Sequence, residues 1–306
     1  LLSTGAYGQR GRLVLFLVSL VVILLVVLTM LRWIEHLSRF GRVADTTERV
    51  EQATSQACTL RLKNPYLGGR ALPDSVTNVP ASAEPIYAAD VGYIQHIDME
   101  QLSQFADDNN AQIFVSATTG SFVHPAFPLF WIQGAAIDET TKAIQSAFSI
   151  GAERSFDQDP RFGLCVLSEI ASRAPSPAVN DAGTAIDVVG RAVRLLSNWT
   201  LSDTDNSIVI KYPRVWVPPV SIDDLFDDIF TPIARDGAGN IGIQVRLQKA
   251  FFALSTIDVN RYGTASRRHS KLALKRADNA LALDEEKEQV RRLAAQLAAL
   301  PIESPL

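Results

Sequence analysis

The stretch Leu13-Val-Leu-Phe-Leu-Val-Ser-Leu-Val-Val-Ile-Leu-Leu-Val-Val-Leu-Thr-Met-Leu31 decides the class of this chain. It carries no charge, and as a helix rising ~1.5 Å per residue it extends about 28 Å, the thickness of a bilayer's hydrocarbon layer. Its polar side chains, Ser19 and Thr29, can each bond a carbonyl one turn back. Arg10 and Arg12 stand on one flank, and Arg32 and Trp33 on the other, as interfacial anchors do. A signal peptide has a shorter apolar region and a small-residue cleavage site. Here Arg32-Trp33-Ile34-Glu35 follows instead. A buried core helix seldom runs this far without a charge. We therefore read a transmembrane helix within residues 1–32, with the lipid bilayer as its partner.

Outward from that run, the chain has a globular balance. Of 306 residues, 47% are hydrophobic and 20% charged. This excludes wholesale disorder and leaves enough chain for a sizeable core. A net charge of −4 argues against a nucleic-acid partner. Two cysteines, Cys58 and Cys165, cannot build a disulfide framework, and unpaired thiols suit a reducing compartment. Arg32, Arg39, Arg42 and Arg49 follow the span, against Arg10 and Arg12 before it. That bias places the C-terminal side in the cytoplasm.

The fold class expected is a membrane protein: one N-terminal transmembrane helix, then an α+β soluble domain made of a small β-rich module and a mainly helical part. A juxtamembrane helix covers 33–59, with His36 at headgroup depth. Residues 60–85, punctuated by Pro65, Gly68, Gly69, Pro73, Pro80 and Pro85, read as an extended linker. The β-rich module spans 86–150. Strands are expected at 86–89, 92–97 and 113–115, with one more from Phe122 through Pro125 and Pro128 to Ile132. Asp98 caps a short helix, and another helix runs over 138–148. The helical part, 151–306, contains helices over 161–173, 184–199, 241–256 and 279–300, and one after the cap Ser221. Ile208-Val209-Ile210 and Val215-Trp216-Val217 read as a hairpin around Tyr212-Pro213.

Little of this spells out chemistry. His36, His96, His124 and His269 show no i+3 or i+4 spacing, so no local metal site or cofactor is implied. Asp223-Asp224-x-x-Asp227-Asp228 lacks the glycine and terminal Glu of a calcium loop and reads as a solvated acidic face. Nucleotide-binding and hydrolase glycine motifs are absent. The basic stretch Arg261, Arg267, Arg268, Lys271, Lys275 and Arg276 reads as a solvated face, with anionic lipid as the other reading. The most unusual stretch runs from Asp159 to Ala185. In it Glu169 and Arg173 are four apart, and Asn180 and Asp181 stand at a helix N-terminus. Asp159, Arg173, Asn180 and Asp181 form the candidate ligand site. They read structurally as helix caps and an ion pair, and functionally as a place where a helix N-terminus beside an arginine holds a small anion.

Gln158-Asp159-Pro160-x-Phe162-Gly163, together with Ile170-Ala171-x-Arg173-Ala174-x-Ser176-Pro177-Ala178-x-Asn180-Asp181-x-x-Thr184-Ala185, resembles the motif of a bacterial family of predicted membrane proteins, the domain of unknown function numbered 2254. Pro175 and Ala182 depart from its usual Leu and Pro. Gly92-Tyr-Ile-Gln-His-Ile-Asp98 and Gly120-Ser-Phe-Val123 are similar to two further stretches of that family. The resemblance implies several transmembrane helices before a cytosolic domain in the bacterial inner membrane, of which this chain carries the last. It implies no activity. Two readings of function follow. One is a non-enzymatic homo-oligomeric channel, transporter or scaffold. The other is a membrane-anchored sensor binding a small anionic ligand. No nucleophile–base pair points to an enzyme.

Overall fold

A computed structural model describes residues 9–39, 43–72, 79–134, 144–201 and 209–301. Contacts divide the chain into two units, residues 1–48 and 49–306.

The first unit is dominated by α1 (Gln9–Arg39). Within it Leu13–Ile34 is long and apolar enough to cross a membrane. Its side chains are exposed on every face, so water would meet a fully apolar cylinder; lipid removes that cost. Ser19 Oγ donates to the Leu15 carbonyl at 2.8 Å, and Thr29 Oγ1 to the Leu25 carbonyl at 2.7 Å. Both hydroxyls are thus satisfied within their own helix. In the expected juxtamembrane helix the described residues are helical, to Arg39 in α1 and over Val43–Lys63 in α2; residues 40–42 lie outside the described residues. The side chain of His36 lies outside the described residues.

The second unit has two cores. One lies between helices and the other under sheets. The helices are α2 from Arg49 onward, α4 (Pro160–Arg173), α5 (Ala182–Leu201), α6 (Ile222–Asp236), α7 (Ile241–Ile257), α8 (Val259–Ala280) and α9 (Asp284–Ala298). Apolar residues at helical spacing turn inward from most of them. Leu164 and Leu167 meet Val188, Phe226, Phe230, Leu247, Phe251 and Tyr262 in one cluster. Two of the caps are those the sequence announces, and Asn240 adds a third. Asp159 stands before Pro160, Ser221 Oγ accepts from Asp224 N at 3.2 Å, and Asn240 Oδ1 accepts from Ile243 N at 3.2 Å.

The sheet core is built by β1 (Arg70–Ala71), β2 (Glu84–Tyr87), β3 (Gly92–Ile97), β4 (Gln112–Val115), β5 (Phe122–Val123), β6 (Pro128–Gln133), β7 (Phe148–Gly151) and β8 (Val215–Val217). α3 (Met99–Asp108) buries Leu102, Phe105 and Ala106 against it. One sheet has the order β1-β8-β4-β6-β2 and the other β5-β3-β7. In the first, β1, β8 and β4 run parallel, while β4, β6 and β2 are antiparallel.

Five expectations are corrected. The linker 60–85 begins inside α2 and contributes β1, and Leu72 behind it is buried, its N–H donating to the Val217 carbonyl at 2.9 Å. Among the described residues 209–217 no hairpin forms; Ile208 lies outside them. Val209 and Ile210 are exposed, and β8 adds parallel to β4 with Ile113 opposite Val215. An open sheet edge satisfies a strand's N–H and C=O groups as well as a hairpin does, and here the edge wins. The strand through Pro125 and Pro128 is two strands in different sheets, separated by a turn in which Phe127 N donates to the His124 carbonyl at 2.8 Å. The described part of 138–148 is a 3-10 turn at Ile144–Ala147 leading into β7; Asp138 lies outside the described residues. The last helix begins at Asp284 rather than Asn279, because α8 extends to Ala280 first.

The acidic row on α6 is also corrected. It is an interhelical ion-pair lattice. Arg161 holds Asp228 at 2.7 Å and Asp224 at 2.6 Å, and Arg268 holds Asp223 at 3.1 Å and Asp227 at 3.0 Å. Three arginines of the basic stretch on α8 are engaged. Besides Arg268, Arg261 donates to the Trp199 carbonyl and Arg267 to the Leu300 carbonyl.

Candidate functional site

The three unusual sequence stretches meet at one junction. β3 ends at Ile97, and Gln158 clamps that end: Ile97 N donates to Gln158 Oε1 at 3.1 Å, and Gln158 Nε2 donates to the Ile97 carbonyl at 3.3 Å. Thr119 Oγ1 donates to the Gln158 carbonyl at 2.8 Å. Gly120 follows in the left-handed region at φ 86°. A Cβ there would lie 2.2 Å from Asp159 Oδ2, so this turn needs glycine twice over. Phe162 packs on Phe156 and lies under the Arg154 guanidinium, 5.4 Å from its ring centre. Gly163 lets α2 approach α4, since a Cβ would lie 1.7 Å from Thr54 Oγ1.

Asp159 is the electrostatic centre of the junction and is only 1% exposed. Its Oδ1 accepts the helix N–H groups of Arg161 at 3.0 Å and Phe162 at 3.2 Å. Its Oδ2 takes the Arg154 guanidinium, at 2.8 Å from Nε and 2.7 Å from Nη2. Burial pushes this carboxyl above its ordinary value, against Arg154 and the two N–H groups that hold it charged.

A second guanidinium depends on the same carboxylate. Arg61, in the last turn of α2, is 4% exposed, and burial pulls it down to about 10 while the charge of Asp159 opposes the fall. Its Nε and Nη1 are buried and, among the described residues, have no hydrogen-bond partner. A buried arginine, Arg61, and a partly buried one, Arg154, thus lie beside one buried acid, and Arg154 holds it directly. Cys165 adds no compensating charge. Its Sγ accepts from Arg154 Nη1 at 3.2 Å, and burial together with Asp228 pushes its thiol up to about 11. Cys58, buried nearby in the sequence on α2, is pushed up to about 12 by burial. Neither thiol is an activated nucleophile.

Arg61 lines a cavity of about 430 Å³. The other walls come from Asn64 and Gly68 after α2, from His96, Asp98 and Glu100 at the β3–α3 joint, from Asp157 and Gln158, and from Lys211 and Tyr212. The last two are held there because both their N–H groups donate to the Gly68 carbonyl at 2.8 Å. His96 Nδ1 lies 2.7 Å from Asp157 Oδ2 at the half-exposed rim. Among the described residues no group of three or more His, Cys, Asp and Glu side chains could hold a metal ion.

The four residues singled out from sequence fall in two places. Asp159 begins α4, and Arg173 ends it about 20 Å away at 1.5 Å per residue. At the far end Asp181 caps α5, accepting from Thr184 N at 3.1 Å and Thr184 Oγ1 at 2.5 Å, and these bonds hold its carboxyl below the usual range. Asn180 takes φ 50° and its N–H donates to the Ser176 carbonyl at 2.8 Å. Arg173 is exposed and, among the described residues, forms no ion pair with Glu169. That corner is closed by its own caps. Sequence reading missed Arg61, Lys211 and Tyr212, because lone residues in a helix end and a loop carry no spacing signal.

An apolar span followed by an α+β domain defines a membrane protein. The chain belongs to the family described as predicted membrane protein (DUF2254), whose model matches residues 1–253. Among curated relatives it is similar to the uncharacterized protein MT1328 of Mycobacterium tuberculosis, 35% identical over 116 residues, covering 36% of this chain and 22% of the relative. The uncharacterized protein Mb1321c of Mycobacterium bovis is 34% identical over the same shares. The chain therefore spans 22% of the length of the curated relatives it matches. No solved structure matches.

Proposed function

We propose that this chain is a membrane-anchored binding protein whose extramembrane domain holds a small anionic ligand in the cavity beside Arg61. One observation carries the reading: the Arg61 side chain, almost wholly buried and without an ion pair among the described residues, lines the cavity, while the nearby carboxylate of Asp159 is taken by Arg154. An entering anion balances that charge. The family motif supports the reading, because Gln158, Asp159 and Gly163 assemble the cavity's inner wall and its backing.

The domain is assigned to the cytoplasmic side of a bacterial inner membrane, in a multi-pass, homo-oligomeric protein. The excess of arginines after the span supports the orientation alone. A channel or transporter would need polar groups from transmembrane helices besides α1. Within Leu13–Leu31 the polar groups Ser19 and Thr29 are spent on their own helix, so this span offers no polar wall for a conduit. The geometry favours the ligand-binding reading.

Thermal melting of the full chain in detergent micelles tests it. Millimolar acetate or inorganic phosphate, compared with chloride at equal ionic strength, is expected to raise the melting temperature with concentration. The rise is expected to vanish in Arg61→Met, which removes the guanidinium while keeping an apolar stem. Equal shifts in wild type and Arg61→Met, or none in either, would overturn the reading.

A further inference from the structure

The cavity beside Arg61 is not uniformly positive. Asp98, Glu100 and Asp157 line it together with Arg61 and Lys211. Asp98 Oδ1 accepts from Gln101 N at 3.0 Å as the cap of α3, and Asp157 Oδ2 faces His96. Each of those carboxylates therefore has one oxygen left over. Glu100 is exposed in the first turn of α3 and acts on the charge of Lys211. A polyanion entering here gains Arg61 but meets three carboxylates, and a simple cation gains the carboxylates but meets an uncompensated guanidinium.

Resting on the anion-binding reading above, we propose that the ligand is a small zwitterion, a molecule carrying one carboxylate and one ammonium group. Its carboxylate lies against the Arg61 side chain on the cavity wall and balances the guanidinium charge. Its ammonium takes the spare oxygens of Asp98 and Asp157 and the charge of Glu100. Leu60 and Tyr212 offer apolar surface to the methylenes between. A cavity of about 430 Å³ stands near the low end of ligand pockets, which suits a short linear molecule rather than a nucleotide.

Calorimetric titration of the full chain in micelles decides the matter, with 4-aminobutyrate and 6-aminohexanoate compared against acetate, methylammonium and inorganic phosphate at constant ionic strength. At least one zwitterion is expected to bind tenfold or more tightly than acetate, methylammonium or phosphate. Asp98→Asn, which preserves the cap, combined with Glu100→Gln should shrink that advantage to less than threefold and leave acetate binding as tight as in wild type or tighter. Arg61→Met should abolish binding of zwitterion and acetate alike, with circular dichroism reporting an intact fold. If acetate or phosphate binds as tightly as the zwitterions, or if the acid variants keep the tenfold gap, the zwitterion assignment fails while anion binding at Arg61 stands. If no probe binds wild type, or if binding survives Arg61→Met, both readings fail together.

Discussion

At residue 163 a single hydrogen stands where any other side chain would meet Thr54. α2 and α4 approach each other there, and the contact joins the helical core to the helix that carries Arg61. Gly163→Ala places a methyl 1.7 Å from Thr54 Oγ1, so one helix must move. We expect a loss of about 1–3 kcal/mol in denaturant unfolding, partly restored when Thr54→Ala removes the nearest atom. A Gly163→Ala chain as stable as wild type would mean that this approach does not lock the helices. Asp159 makes the complementary point about charge. It reads as a helix cap, and it is one, yet the same carboxylate also balances Arg154 and influences Arg61. Its second role depends on residues far away in sequence, so no local pattern could announce it.

At the scale of elements, β8 and α1 show opposite relations between pattern and outcome. Val215-Trp216-Val217 is a strand by composition, but a three-residue strand has no preferred partner until an edge is offered. β4 offers one on one side and β1 closes the other, so a segment from the helical part completes the sheet of the β-rich module. Helix α1 needs no partner to be recognised. Its apolar length matches a bilayer, and its hydroxyls are satisfied internally. An arginine at mid-span costs about 2.5–3.5 kcal/mol on insertion scales. A chain carrying both Val22→Arg and Leu24→Arg should leave the membrane fraction on alkaline carbonate extraction, whereas wild type stays. Retention of the double variant would mean that other segments anchor the protein.

Across the whole molecule, stability should depend on pH through a residue in the helical core. His269 is 2% exposed among Phe226, Phe230 and Phe251, with Asp227 Oδ1 at 3.2 Å from its Nε2. Burial, helped by Arg268 and Arg276 and opposed by Asp227 and Asp223, lowers it from 6.5 to about 4. The folded state therefore keeps the ring neutral, while the unfolded chain takes up a proton as pH falls below 6.5. The contribution is complete above that pH and is lost progressively down to about pH 4, amounting to about 3 kcal/mol. Melting curves of wild type should fall more steeply with acidification over that window than those of His269→Phe, whose ring suits the aromatic cluster. Identical slopes would refute the assignment.

The membrane span, the caps at Asp98, Asp159 and Ser221, and the helical core were legible in the chain alone. Each is set by neighbours within about one helical turn or by an uninterrupted apolar run, so residue type and spacing suffice. Membership in the α+β class followed from the same local signals. The sheet order, the division of 122–132 between two sheets and the ion-pair lattice on α6 were decided only by tertiary structure. So was the cavity, which gathers Arg61 from the end of a helix, Asp98 from a cap, Asp157 from a loop and Lys211 from the approach to β8. Strand edges and lone charges carry no intrinsic preference for a partner. What selects the partner is the burial of everything around them, and that exists only once the chain has closed.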